Sequence, residues 1–168
     1  MGCPGKLYIQ SGDGSFRYVP QACFEKDKGC EDIGAVFLDA DGDNDLDLYV
    51  VSGGNEFHAD AAELQDRLYL NDGKGSFSAA KGRLPVMITS GSCVKSCDID
   101  GDGDIDIVLT NGCGSSISVL KNSGTGTFAA KVDYTTVSQS SGIVLTDLDG
   151  DGDLDVATDS GNTAFLSI

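Results

Sequence analysis

Fifteen of the 27 acidic residues fall into three nine-residue segments that carry an aspartate at every odd position. They read DADGDNDLD from Asp39, DIDGDGDID from Asp98 and DLDGDGDLD from Asp147. Two carboxylates about 5 Å apart repel by about 3 kcal/mol at an effective dielectric near 20, so several such pairs in one segment rival the marginal stability of a domain. A cation held among them removes that cost. Aspartates at positions 1, 3, 5 and 9 and a main-chain carbonyl at 7 converge on one point if a Gly or Asn at position 6 turns the backbone left-handed. Hard oxygen donors alone, with water completing a shell of about six to eight, suit Ca²⁺. Zinc and copper would want His or Cys, and Mg²⁺ tolerates so many protein ligands poorly. An EF-hand loop requires a bidentate Glu at its twelfth position, where this chain has Val50, Leu109 or Thr158.

Something must hold these segments as turns, and the flanking residues read as strands. A second element recurs between them: LYIQSGDGSF (7–16), LYLNDGKGSF (68–77) and VLKNSGTGTF (119–128). Each repeat parses into four short strands. Strand a enters the acidic loop (GAVFLD, CVKSCD, GIVLTD) and strand b leaves it (LDLYVVS, IDIVLTN, LDVATDS). Strand c is RLYL, SVLK or TAFLSI, and a glycine-bearing turn leads to strand d, which begins near Phe16, Phe77 or Phe128. Four antiparallel strands per repeat make a β-propeller blade. The expected fold is all-β, with about three propeller-type blades in a single repeat domain, incomplete at both ends. A partial blade (strands c and d) spans 1–33, whole blades span 34–92 and 93–141, and a partial blade (strands a, b and c) spans 142–168. The insertion GGNEFHADAAELQDR predicts one short helical turn at DAAELQD.

A net charge of −16 disfavours nucleic acid and anionic membrane as partners, and no apolar run is long enough for a membrane span. The start MGCPGK puts Lys6 where an acylation signal wants Ser or Thr, so a leader or preceding segment beyond this sequence is expected instead. Six cysteines, with neither a CxxC pair nor a zinc spacing, fit an oxidising, extracellular or cell-surface setting. Cys23 and Cys30 flank a stretch that could fold back and pair them. Cys93 and Cys97 lie too far apart on extended chain, which favours Cys93 with Cys113 across a hairpin and leaves Cys3 and Cys97 for each other or for another chain.

Catalytic chemistry is not assembled by this sequence. GKGS at 73–76 has Gly75 where a phosphate loop needs Ser or Thr after Lys74, and reads as a hairpin turn. His58, the one histidine, lies in the polar insertion without a partner nucleophile. The expectation is a non-enzymatic structural, adhesive or assembly module. A glycan- or protein-recognition module is the second reading, weakened by five tyrosines and no tryptophan for a sugar platform.

The DxDGDGDxD segments followed by LYLNDGKGSF resemble the FG-GAP/VCBS repeats of integrin α-subunit-like propellers and of many secreted bacterial proteins. That resemblance covers nearly the whole chain. It implies three Ca²⁺ sites: Asp39, Asp41, Asp43 and Asp47 with the Asp45 carbonyl; Asp98, Asp100, Asp102 and Asp106 with the Asp104 carbonyl; and Asp147, Asp149, Asp151 and Asp155 with the Asp153 carbonyl. Asn44 departs from the glycine of the other two loops, a mild change because Asn also tolerates positive φ. Propellers of this family generally have six to eight blades, more than the three read here. The partial blades at the two ends are complementary, so either the chain belongs to a larger propeller or its ends meet those of other copies in a ring or a filament.

Overall fold

The alternating runs become strands because β-branched and aromatic residues at every second position fit a pleated surface with a face to bury. The computed structural model describes residues 3–54, 57–58, 60–112, 114–136 and 139–159. In chain order the elements are β1 (Leu7–Gln10), β2 (Phe16–Val19), α1 (Ala22–Lys26), β3 (Glu31–Leu38), β4 (Asp47–Gly53), a 3-10 turn at Ala62–Leu64, β5 (Arg67–Asn71), β6 (Phe77–Ala79), β7 (Gly91–Cys97), β8 (Asp106–Asn111), β9 (Ser116–Leu120), β10 (Val132–Thr135), β11 (Ile143–Thr146) and β12 (Asp155–Thr158). The 3-10 turn falls within the segment predicted to hold a helical turn.

All pairings are antiparallel. Among the described residues two sheets have four strands, in the orders β3-β4-β5-β6 and β7-β8-β9-β10, and two have two, β1-β2 and β11-β12. The fold is therefore all-β and blade-like, as the repeat pattern indicates. Strand d of the second blade begins near Phe128, as the repeat indicates, but is interrupted. Phe128 bridges Asn122 as Phe77 pairs with Asn71, and the continuous ladder is β10, from Val132. The first blade turns directly from Ser76 into β6, whereas in the second Ala129 hydrogen-bonds back to Lys121 before pairing resumes at Val132. The strand expected at 163–168 lies outside the described residues.

The sheets stack face to face, and the period of two sorts side chains between successive interfaces. On β4, Val50 enters a cluster with Phe24 and Tyr69 against which Leu7 of β1 packs, while Tyr49 and Val51 turn the other way. Those two join Leu68, Ile107, Leu109 and Leu120 in the largest core, between the two whole blades. On β8 the intervening Val108 packs with Ile117, Val119 and Ile143 beneath β11-β12. Ile107, Leu109 and Leu120 have no exposed surface, which makes each worth about 1.5–3 kcal/mol of burial. Gly91, at the start of β7, lets the blades meet closely, since a Cβ there would collide with Val51 Cγ1. Along the inner strands, Ser96 Oγ of β7 donates to the Phe37 carbonyl of β3 at 3.4 Å.

The cysteine pairing expected for Cys23 and Cys30 is not formed: both are free thiols, as are Cys3, Cys93 and Cys97. The physical reason is α1, which turns Cys23 into the core, where its Sγ donates to the Phe77 carbonyl at 3.3 Å. Burial pushes both the Cys23 and the Cys30 thiol up. Cys113, the expected partner of Cys93, lies outside the described residues. Among the described residues no helix is long and apolar enough to cross a membrane.

Candidate metal centres

Each acidic segment spans the a–b connection: residues 39–46 join β3 to β4, 98–105 join β7 to β8, and 147–154 join β11 to β12. The loop curls because position 4 is left-handed at Gly42, Gly101 and Gly150 (φ 77, 73 and 80°), and position 6 at Asn44, Gly103 and Gly152 (φ 68, 94 and 97°). Asn44 thus occupies the backbone conformation that the glycines supply elsewhere.

The first aspartate organises the turn by accepting main-chain N–H groups from within it. Asp39 takes those of Gly42 and Asn44 at 2.9 and 3.0 Å, and Asp98 those of Gly101 and Gly103 at 2.8 and 3.0 Å. Asp147 takes those of Gly150 and Gly152 at 2.7 and 3.1 Å. The fifth-position carboxylates Asp43, Asp102 and Asp151 each accept the N–H of the residue two further on, at 2.9 Å.

Carboxylate oxygens gather to within 4.8 Å of one another in three groups: Asp39, Asp41 and Asp43; Asp98, Asp100 and Asp106; and Asp147, Asp149 and Asp155. Nine of the fifteen aspartates named from sequence are thereby brought together. Asp47, Asp102 and Asp151 stand outside these groups, engaged by N–H donors. Asp45 and Asp104 turn their side chains onto the c–d hairpins of their blades, where a Cβ at Gly73 or Gly124 would collide with them. That placement suits a seventh position contributing its carbonyl. Asp153 is an exposed turn residue.

The ninth aspartate is the structural hinge of each loop. Asp47 is 1% exposed and Asp106 0%, and each spans three segments. Asp47 Oδ2 accepts the Ala40 N–H at 3.0 Å and Oδ1 the Asn71 N–H at 2.8 Å. Asp106 repeats this with Ile99 at 3.2 Å and Asn122 at 2.7 Å. Burial pushes both carboxyls up, opposed by these donors. In the third loop Asp155 Oδ2 accepts the Leu148 N–H at 2.9 Å.

Two charge features bear on what the loops hold. Asp41 Oδ1 is buried and has no hydrogen-bond partner, an uncompensated oxygen in a group of three carboxylates. In the second loop Lys121 of the third strand's end reaches Asp100 at 2.8 Å, and that hydrogen bond holds the Asp100 carboxyl below its usual range. An oxygen-only donor set with an orphaned buried oxygen fits a hard divalent cation.

Two contributors were not singled out from sequence. Asn71 and Asn122 close the loops from strand c, and each also spends its side chain on a loop carbonyl, Leu46 at 3.1 Å and Ile105 at 3.1 Å. Asn122 further donates to the Ala40 carbonyl of the neighbouring blade at 2.8 Å. Their signal was present, since Asn occurs at the same place in LYLNDGKGSF and VLKNSGTGTF. Asp66, 3% exposed, accepts from Tyr49 Oη at 2.7 Å and the Ser52 N–H at 2.8 Å, and burial pushes it up to about 7.

Four-stranded antiparallel sheets stacked face to face, each with an acid-rich turn between its first and second strands, define a repeat protein built of propeller-type blades. Residues 39–109 and 98–158 match the family model described as FG-GAP-like repeat, and the chain belongs to that family. Comparison with the curated proteins finds no match.

Proposed function

We propose that this chain is a non-enzymatic, extracellular structural and adhesion module whose a–b loops bind Ca²⁺, about one per loop. The observation that carries the reading is the orphaned, buried Asp41 Oδ1 among three carboxylates whose oxygens lie within 4.8 Å of one another. Asp39, Asp41, Asp43 and Asp47 would hold the first ion, Asp98, Asp100, Asp102 and Asp106 the second, and Asp147, Asp149, Asp151 and Asp155 the third, with the carbonyls of Asp45, Asp104 and Asp153. Bound there, the cation supplies positive charge that cancels carboxylate repulsion, and its binding free energy adds to folding. The protein's own residues do the rest. Asp47 and Asp106 tie strand c to the loop, and Asp39, Asp98 and Asp147 fix its curl. The extracellular setting rests on the family and on the millimolar calcium such loops would meet outside cells, not on disulfides. Isothermal titration of chelator-treated protein tests the reading: about three Ca²⁺ per chain are expected, and no heat of binding up to millimolar Ca²⁺ would sink it.

A further inference from the structure

One side chain touches the acidic loops of both whole blades. Asn122, 7% exposed, follows β9 and begins the c–d turn of the second blade. Its backbone N–H donates to Asp106 Oδ1 at 2.7 Å, and its Nδ2 donates to the Ile105 carbonyl at 3.1 Å. Asn122 is thereby fixed to the closing end of the second acidic loop. The same Nδ2 donates to the Ala40 carbonyl of the first loop at 2.8 Å. A side-chain amide nitrogen carries two hydrogens, and here each serves a different loop.

Ala40 is buried between Asp39 and Asp41, two of the residues assigned to the first cation. Its N–H goes to Asp47 Oδ2 at 3.0 Å and its carbonyl to Asn122, so the peptide groups on both sides of it are held. Because a peptide group is planar, holding the Ala40 carbonyl also sets where the Asp41 Cα stands. The rest of the c–d turn meets the same segment. A Cβ on Gly126 would lie 3.3 Å from Asp41 Cβ, and one on Gly42 would lie 3.4 Å from the Gly124 carbonyl oxygen. Arg83, on the β6–β7 connection, holds the turn there: its side chain donates to the Thr125 carbonyl, and its own carbonyl accepts the Phe128 N–H at 2.8 Å. Asp41, which carries the orphaned buried oxygen, therefore stands against the second blade.

We propose that the first and second cation sites fill as a coupled pair, with Asn122 as the positioning residue that joins them. The inference rests on the calcium reading of the two loops. Carboxylate repulsion works to open each loop when no cation offsets it. A second loop that is neutralised keeps Asp106 in place, Asp106 keeps Asn122 in place, and Asn122 keeps the Asp39–Asp41 segment ordered. The first loop then binds with less ordering left to do, which raises its affinity. Linkage makes the effect reciprocal. Direct repulsion between two divalent ions acts in the opposite sense and does not depend on Asn122, so the two effects can be separated.

The test is a calcium-buffered titration of the full, isotope-labelled chain after chelator treatment, followed by the amide resonances of Gly42 and Gly101. Each of these amides donates to the first aspartate of its own loop, so each reports its own site. In the wild type both should move over the same range of Ca²⁺. Asp100→Ala, at an exposed ligand of the second loop, should raise the Ca²⁺ needed to move Gly42 by at least about fivefold. Asp43→Ala, at an exposed ligand of the first, should raise the Ca²⁺ needed to move Gly101 comparably. Adding Asn122→Ala to either variant should abolish the transfer. Arg83→Ala, a milder change that only loosens the turn, should reduce both factors in a chain that circular dichroism shows to be folded. A transfer in neither direction or in only one would overturn the coupling and leave the calcium reading standing. So would a transfer undiminished by Asn122→Ala and Arg83→Ala. Wild-type amides that ignore millimolar Ca²⁺ would overturn both.

Discussion

Asp47 and Asn71 are joined by a 2.8 Å hydrogen bond from the Asn71 N–H to Asp47 Oδ1, which ties strand c to the end of the acidic loop inside the blade. The second blade repeats it between Asn122 and Asp106 at 2.7 Å. A residue that resembles one more surface carboxylate is thus a buried tie between loop and strand.

Asp106→Ala should therefore lower the melting temperature even in chelator. It strands the Ile99 and Asn122 N–H groups in a buried site, at about 1–3 kcal/mol each unless water enters. Asp100→Ala removes exposed contacts with Lys121 and the neighbouring Asp102, so its melting temperature in chelator should fall less than that of Asp106→Ala. In Ca²⁺ it should lose part of the calcium-dependent gain. Differential scanning calorimetry of both variants in both buffers checks the contrast, and equal behaviour in chelator would refute it.

Gly73→Ala and Gly124→Ala should each cost about 1–3 kcal/mol. Both residues have left-handed backbone (φ 69 and 70°), and an added Cβ would strike the Asp45 or Asp104 carboxylate. Gly82→Ala separates the two causes, because Gly82 shares the positive φ (75°) with nothing within 4 Å. Urea denaturation should rank Gly82→Ala as the mildest of the three.

Stability should also respond to pH through Asp66. Its folded-state pKa of about 7 exceeds the ordinary 3.8, chiefly through burial, so the folded chain holds a proton that the unfolded chain releases. The associated stability is fully present below pH 3.8 and is lost as pH rises through about 7, with an upper magnitude of about 4 kcal/mol. Asp66→Asn should flatten the difference in stability between pH 5 and pH 8 measured in chelator. An unchanged slope would show that Asp66 titrates normally.

The repeat, the strands of the first blade and the acidic turns could be read from sequence because each follows from local spacing: period two for strands, alternate aspartates for a turn, glycine where φ must be positive. What was hidden depends on neighbours. Asp47 and Asp43 are the same residue type four positions apart, yet only Asp47 is buried, since strand c covers it. Strand d of the second blade begins at the Phe128 bridge to Asn122, but its interruption before the ladder resumes at Val132 has no signal in the aligned motif. The Cys23–Cys30 expectation failed because α1 draws Cys23 into a core that residue spacing does not reveal. Asp66 gave no local signal; its environment comes from Tyr49 and Ser52 on the adjacent strand.

The central claim is that the loops are cation sites whose occupancy stabilises the blades. Thermal unfolding of chelator-treated protein, followed while Ca²⁺ is added back and the bound metal is counted by native mass spectrometry, tests it most directly. The account predicts a melting temperature that climbs with Ca²⁺ and levels off at about three ions per chain. A melting temperature indifferent to both Ca²⁺ and chelator, with no ion retained, would contradict it.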